Sequence, residues 1–380
     1  MCPASPDASP SGGLPAHPGA EGSGQAVRIS RSGWILSPAG DTFAFLGPVL
    51  AGLALVAWAS ARGTLYDPVS PLLFFVLVAC VDVGHVYATA FRVYLDPTEL
   101  RRRPGLYLGL PLLAYGAGVM LHSHGPLVFW RALAYLAVYH FVRQQWGWLA
   151  IARRKAGEAG ALDFQLDRAT IYACTLYPLL HWHTHLPAPF EWFLAGDFAA
   201  LPGWLDPIGL ALHVSILGLF ALRQIQRLVT GSGINWAKVQ VVVATWVAWF
   251  VPIVWLRSDL AFTTLNVLAH GVPYLAFVWH LEHTRHAAAE GSPDSDPASR
   301  LAWLFAPRLI LVFLALLALA GVAEEWLWDR AVWHENGAVF PGPEWFPSAA
   351  WLGFLVPLLA LPQATHYLLD GWIWRSSHRR

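Results

Sequence analysis

Ten separate stretches of this chain are long and apolar enough to cross a lipid bilayer as helices, and that repetition leaves few architectures open. They lie near residues 42–61, 70–91, 105–122, 126–150, 168–187, 207–225, 236–256, 260–282, 303–323 and 347–370. A spanning helix needs roughly 20 predominantly apolar residues. Backbone polar groups inside hydrocarbon must also pair within their own segment, which favours helix over open sheet. Composition agrees: 56% of the 380 residues are hydrophobic and only 13% charged, against about 25% charged in a soluble domain. The expected fold is therefore all-α, a polytopic transmembrane bundle of about ten spans. Residues 1–40, rich in Pro, Gly, Ser and Ala, read as a disordered tail. The helical domain occupies 41–371, and 372–380 form a short basic tail. Segments 189–204 and 326–345, with their Trp and acidic residues, read as short interfacial helices.

Charge sets an expected orientation. With the N-terminus inside, all of the 24 basic residues except Arg62, Arg131, Arg257 and Arg330 fall on the cytoplasmic side. That bias predicts both termini cytoplasmic, and places Glu324 and Glu325 among the acidic loops opposite. The expected location is a membrane crossed many times, the inner membrane if the cell is bacterial. The formal net charge is zero, so no basic field invites nucleic acid. Cys2, Cys80 and Cys174 show no CxxC spacing, which argues against a disulfide framework or a thiolate metal site. No Walker A or GxGxxG loop precedes a helix, so nucleotide chemistry is set aside.

Against this apolar background the histidines stand out, 16 of them beside two lysines. In 266–286, NVLAHGVPYLAFVWHLEHTRH, the residues Asn266, His270, Pro273 and His280 share one helical stripe. Three other spans carry polar stripes at comparable depth. Asp82, His85 and Thr89 follow i, i+3, i+7; Gln363, His366 and Asp370 repeat that spacing; His140, Arg143 or Gln144, and Gly147 form the third. Polar groups in hydrocarbon are costly unless paired, so the four stripes are expected to face one chamber. Imidazoles with carboxylates form the usual ligand set for non-haem iron. Asp82, His85, His140, His270, His280, His366 and Asp370 are the candidate metal ligands, with the two carboxylates either ligating or orienting the rings. Iron is favoured and zinc accepts the same donors. Arg143 and Gln144 are the candidate catalytic residues. A second group lies toward the other face, at His122, His124, His181, His183, His185 and His213. Within it His181 and His185, four apart, share a face and make a workable metal pair, while His183 points away.

The HxxxH segment (His181 to His185) and HxxHxxH (His280, His283, His286), within a histidine-rich set of spans, resemble the membrane-bound histidine-box desaturases and hydroxylases. That resemblance implies non-haem di-iron and oxygen chemistry on lipid chains. It covers short motifs only: the HxxHH box is absent, and HxxxH maps to the outer side. Three functions remain open on sequence. One is a metal-dependent oxidoreductase acting on a lipid or other hydrophobic molecule, with a possible redox partner on the cytoplasmic side. The second is a haem b or quinone electron carrier, since paired His on adjacent helices serve as axial ligands. The third is a proton- or cation-coupled transporter.

Overall fold

A computed structural model describes residues 33–289 and 301–373; the side chains of residues 288, 289 and 302 are not described, and the N-terminal tail and basic C-terminal tail lie outside the described residues apart from their inner ends. Each of the ten expected apolar stretches is helical: α1 Pro38–Ala61, α2 Pro71–Arg92, α3 Pro104–Ser123, α4 Pro126–Ala156, α5 Ala161–Thr184, α6 Leu205–Val229, α7 Trp236–Leu256, α8 Asp259–Ala289, α9 Pro307–Trp333 and α10 Ala349–Ile373. No strand occurs among the described residues. Eight of the ten are long and apolar enough to cross a membrane; α4 and α5 fall outside that set. Polar residues interrupt both, including Arg131, His140, Arg143, Gln144 and Gln145 on α4 and Asp163, Asp167, Arg168, His181 and His183 on α5.

The surface agrees with a lipid setting. Helix α6 exposes Ile208, Leu212, Leu219 and Leu222, each more than half accessible, and α3 exposes Leu108, Leu112, Leu113 and Met120. In water such continuous apolar faces are unfavourable; against lipid tails they carry no such penalty.

Local chemistry sets the helix ends. Ser37, Ser70 and Ser348 each accept a backbone N–H at the start of α1, α2 and α10, and proline occupies the first turn of α1 to α4. Asp41 folds the entry strand of chain back onto α1, accepting from the N–H groups of Ile35 and Leu36 at 2.7 Å each. Ile35 is buried. Helix α10 is interrupted at Ala360, between Ala349–Leu359 and Leu361–Ile373, where Pro362 lacks the N–H that would continue the ladder.

Three helices meet through small residues. A Cβ on Gly321 of α9 would run into the Ala79 carbonyl oxygen and lie 2.7 Å from the Gly84 nitrogen of α2. A Cβ on Gly271 of α8 would lie 2.9 Å from Val81 Cγ1 and 3.3 Å from the Val81 carbonyl oxygen. Close backbone approach through glycine is the usual way membrane helices gain packing. Here it clamps α2 between α8 and α9 at Phe75–Val83, where α2 widens to a π-helix. Such wide turns re-aim the side chains that follow them, and His85 follows directly.

Several expectations need correction. Residues 189–204 are not a helix but an irregular segment, tied down by Asp197, which accepts from Phe193 and Leu194 N–H. In 326–345 the helix ends at Trp333, and Asp329 caps the irregular part through the N–H groups of Glu335 and Asn336. Glu324 and Glu325 are not loop residues; both are buried within α9. Arg153 and Lys238 are also buried. Arg153 pairs with Asp167, and Lys238 reaches Glu158 at 2.9 Å and Asp167 at 3.0 Å.

Candidate metal centre

His85 of α2, His140 of α4, His270 of α8 and His366 of α10 meet in the interior, each about 1% exposed. Their Nε2 atoms converge. His85 and His270 are 3.0 Å apart, His270 and His140 3.3 Å, and His140 and His366 3.2 Å. The rings touch around the cycle His85–His270–His140–His366, with centroid separations of 4.6, 5.0, 4.6 and 4.9 Å on closing back to His85.

These spacings match a bound ion. With metal–nitrogen bonds of about 2.0–2.1 Å, neighbouring donors sit about 2.9 Å apart in a square and about 3.3 Å apart in a tetrahedron. Internal hydrogen bonding is a poorer account of the same contacts. Each neutral Nε2 offers either one N–H or one lone pair, so four of them make at most two hydrogen bonds and at least one of the three Nε2···Nε2 contacts stays unpaired and repulsive. A cation among them removes that repulsion.

The rings differ in what stands behind them, His85 Nδ1 and His270 Nδ1 having no hydrogen-bond partner. Thr89 Oγ1 lies 2.7 Å from His366 Nδ1 and 3.2 Å from the Tyr274 hydroxyl. Asp82 Oδ1 is 3.7 Å from His85 Nδ1, and Asp370 Oδ2 is 3.7 Å from His140 Nδ1. Phe141 stacks on His270 at 3.7 Å and 7°, and Tyr367 stacks on His140 at 4.9 Å and 26°. The two aspartates therefore flank the imidazoles on their far side, and the converging donor set is four nitrogens. At 3.7 Å the contacts are too long for hydrogen bonds, so the carboxylates stand beside the rings as charges.

Not every expected site residue arrives. His280 lies ten residues beyond His270, is half-buried and is outside the converging group. Arg143 turns outward to donate to the Tyr172 hydroxyl of α5 at 2.8 Å. Gln144, in contrast, is buried one helical turn from His140, and neither atom of its amide has a partner. Gln363 turns from the cluster toward Glu324, which also accepts from the hydroxyl of Tyr87. Tyr274, Phe141 and Tyr367 were missed on sequence. Tyr274 had a readable signal, being four residues after His270 on the same helix; aromatic residues in apolar spans carry none.

In the second histidine group, His183 Nδ1 donates to the Leu179 carbonyl and its Nε2 meets the Tyr135 hydroxyl at 3.0 Å. His213 is held between the Ala173 carbonyl and the Trp246 indole N–H. Those two rings are accounted for by packing.

Compared with known proteins, the chain matches no protein-family model, no curated protein and no solved structure.

Proposed function

We propose that this is a membrane-embedded metalloenzyme that holds one first-row transition ion, iron in preference to zinc, at His85, His140, His270 and His366, and performs oxidoreductase chemistry on a hydrophobic substrate. The convergence of four buried Nε2 atoms at 3.0–3.3 Å carries this reading. Charge supports it. A divalent ion buried in a protein needs compensation, and Asp82 and Asp370 supply two carboxylates at 3.7 Å from the ligand rings. Imidazole nitrogens accept iron and zinc alike; iron is preferred in this reading because zinc has no redox chemistry to offer an oxidoreductase. Gln144, with its amide unpartnered one turn from His140, is the side chain proposed to meet a substrate or a bound small molecule. Arg143 has no part in it. A buried site among apolar helices favours a substrate that partitions from the lipid, with electrons supplied by a partner from outside the bilayer.

The haem alternative loses support, because two axial ligands need a porphyrin-wide slot between them and four nitrogens converge here instead. The test is elemental analysis and an absorption spectrum of detergent-purified protein, with His85→Ala and His366→Ala. The expected result is one equivalent of iron, no Soret band, and loss of that iron in both variants. Full retention in both overturns the site. Gradient-driven uptake of the metal ion by reconstituted vesicles overturns the enzymatic reading in favour of transport.

A further inference from the structure

We infer that the chain carries a second metal site, independent of the first, at the C-terminal end of α5, where His181 and His185 bind a divalent cation of zinc type. His181 Nδ1 lies 2.9 Å from Asp206 Oδ1 at the start of α6. A carboxylate accepts, so Nδ1 carries the proton and Nε2 the lone pair. That Nε2 is buried and has no partner. His185 Nδ1 lies 2.8 Å from the His181 carbonyl oxygen, which also only accepts. Its Nε2 is therefore a lone pair as well.

Two imidazoles whose distal N–H groups are tied to a carboxylate and a backbone carbonyl have the arrangement in which His binds metals. The rings stack at 4.0 Å and 29°. Donor atoms of His181, His185 and Asp206 all lie within 4.8 Å of one another. The pair lines a small hollow with Trp182, Phe190, Ile253 and Arg257, and solvent would have to supply the remaining ligands of a four-coordinate ion. The i, i+4 spacing on one helix provides two ligands and the Asp206 carboxylate orients one of them. The guanidinium of Arg257 at the rim opposes a cation, so this site is expected to bind more weakly than the four-histidine centre.

The experiment uses full-length protein in detergent, its inner-site metal measured first by elemental analysis. Zinc chloride is then titrated against a chromophoric zinc indicator. The expected result is one further Zn²⁺ per chain, lost in His185→Ala and weakened about 10- to 100-fold in Asp206→Asn. His124→Ala, at an exposed histidine just past the end of α3, leaves the titration unchanged. His185→Gln, checked for an unaltered melting temperature, separates a lost ligand from a lost fold and is also expected to abolish the step. Absence of any additional equivalent in the unmodified protein overturns the inference, as does undiminished uptake in the two His185 variants. Because inner-site metal is counted beforehand, either site can fail without the other.

Discussion

Replacing Thr89 with valine tests the inner centre without touching a ligand. The substitution keeps the branched shape and removes the hydroxyl that lies 2.7 Å from His366 Nδ1 and 3.2 Å from the Tyr274 hydroxyl. Two consequences follow. His366 Nδ1 is left without its partner in a site about 1% exposed, which costs about 1–3 kcal/mol for a buried unsatisfied group. The ring also loses the contact that sets its direction, and loss of an outer-shell partner typically weakens metal affinity about 10- to 100-fold. At about 1.4 kcal/mol per tenfold, that is about 1.4–2.8 kcal/mol of binding. The assay is competition for the inner metal with a chelator of known affinity, in detergent, with melting temperature measured in parallel on the metal-loaded protein. Thr89→Ser should restore most of the affinity. Thr264→Val, at another fully buried threonine whose hydroxyl has no partner, should leave it unchanged. A Thr89→Val protein that holds its metal within twofold of the parent would falsify the claim that Thr89 orients a ligand, and with it the role of His366.

Two further outcomes are expected. Gly321→Ala pushes a methyl group into the backbone of α2 at Ala79 and Gly84. It should destabilise by about 1–3 kcal/mol or more and release inner-site metal by displacing His85; Gly218→Ala, with open space around it, serves as the control, and equal melting temperatures for the two variants refute the clamp. Asp96, in the loop after α2, provides a pH test. Burial pushes its carboxyl up, but Arg285 at 2.5 Å and the N–H groups of Thr98 and Glu99 outweigh that and hold it below the usual carboxylate range. A depressed folded-state pKa means the stabilisation is present above the ordinary carboxylate range and is lost as pH falls through the lower folded value. Asp96→Asn should therefore lower the melting temperature at pH 7 and narrow the gap to the parent on acidification below about pH 4; a gap that is constant with pH refutes it.

The sequence by itself determined the helices and four of the residues that meet at the centre. Helical periodicity and apolar length are one-dimensional properties, and a polar stripe on an apolar helix must be paired wherever the helix goes. That logic reached His85, His140, His270 and His366. It also drew in His280 and Arg143, since periodicity reports a face of a helix and not what stands opposite it. Only tertiary structure decided those cases, because whether a ring turns inward depends on how closely two helices approach and at what register. The glycine contacts that clamp α2, the wide turn before His85 and the break at Ala360 before His366 are all packing events between residues far apart in the chain. The same holds for Glu324 and Lys238, whose charges read as loop markers until partners on other helices brought them inside.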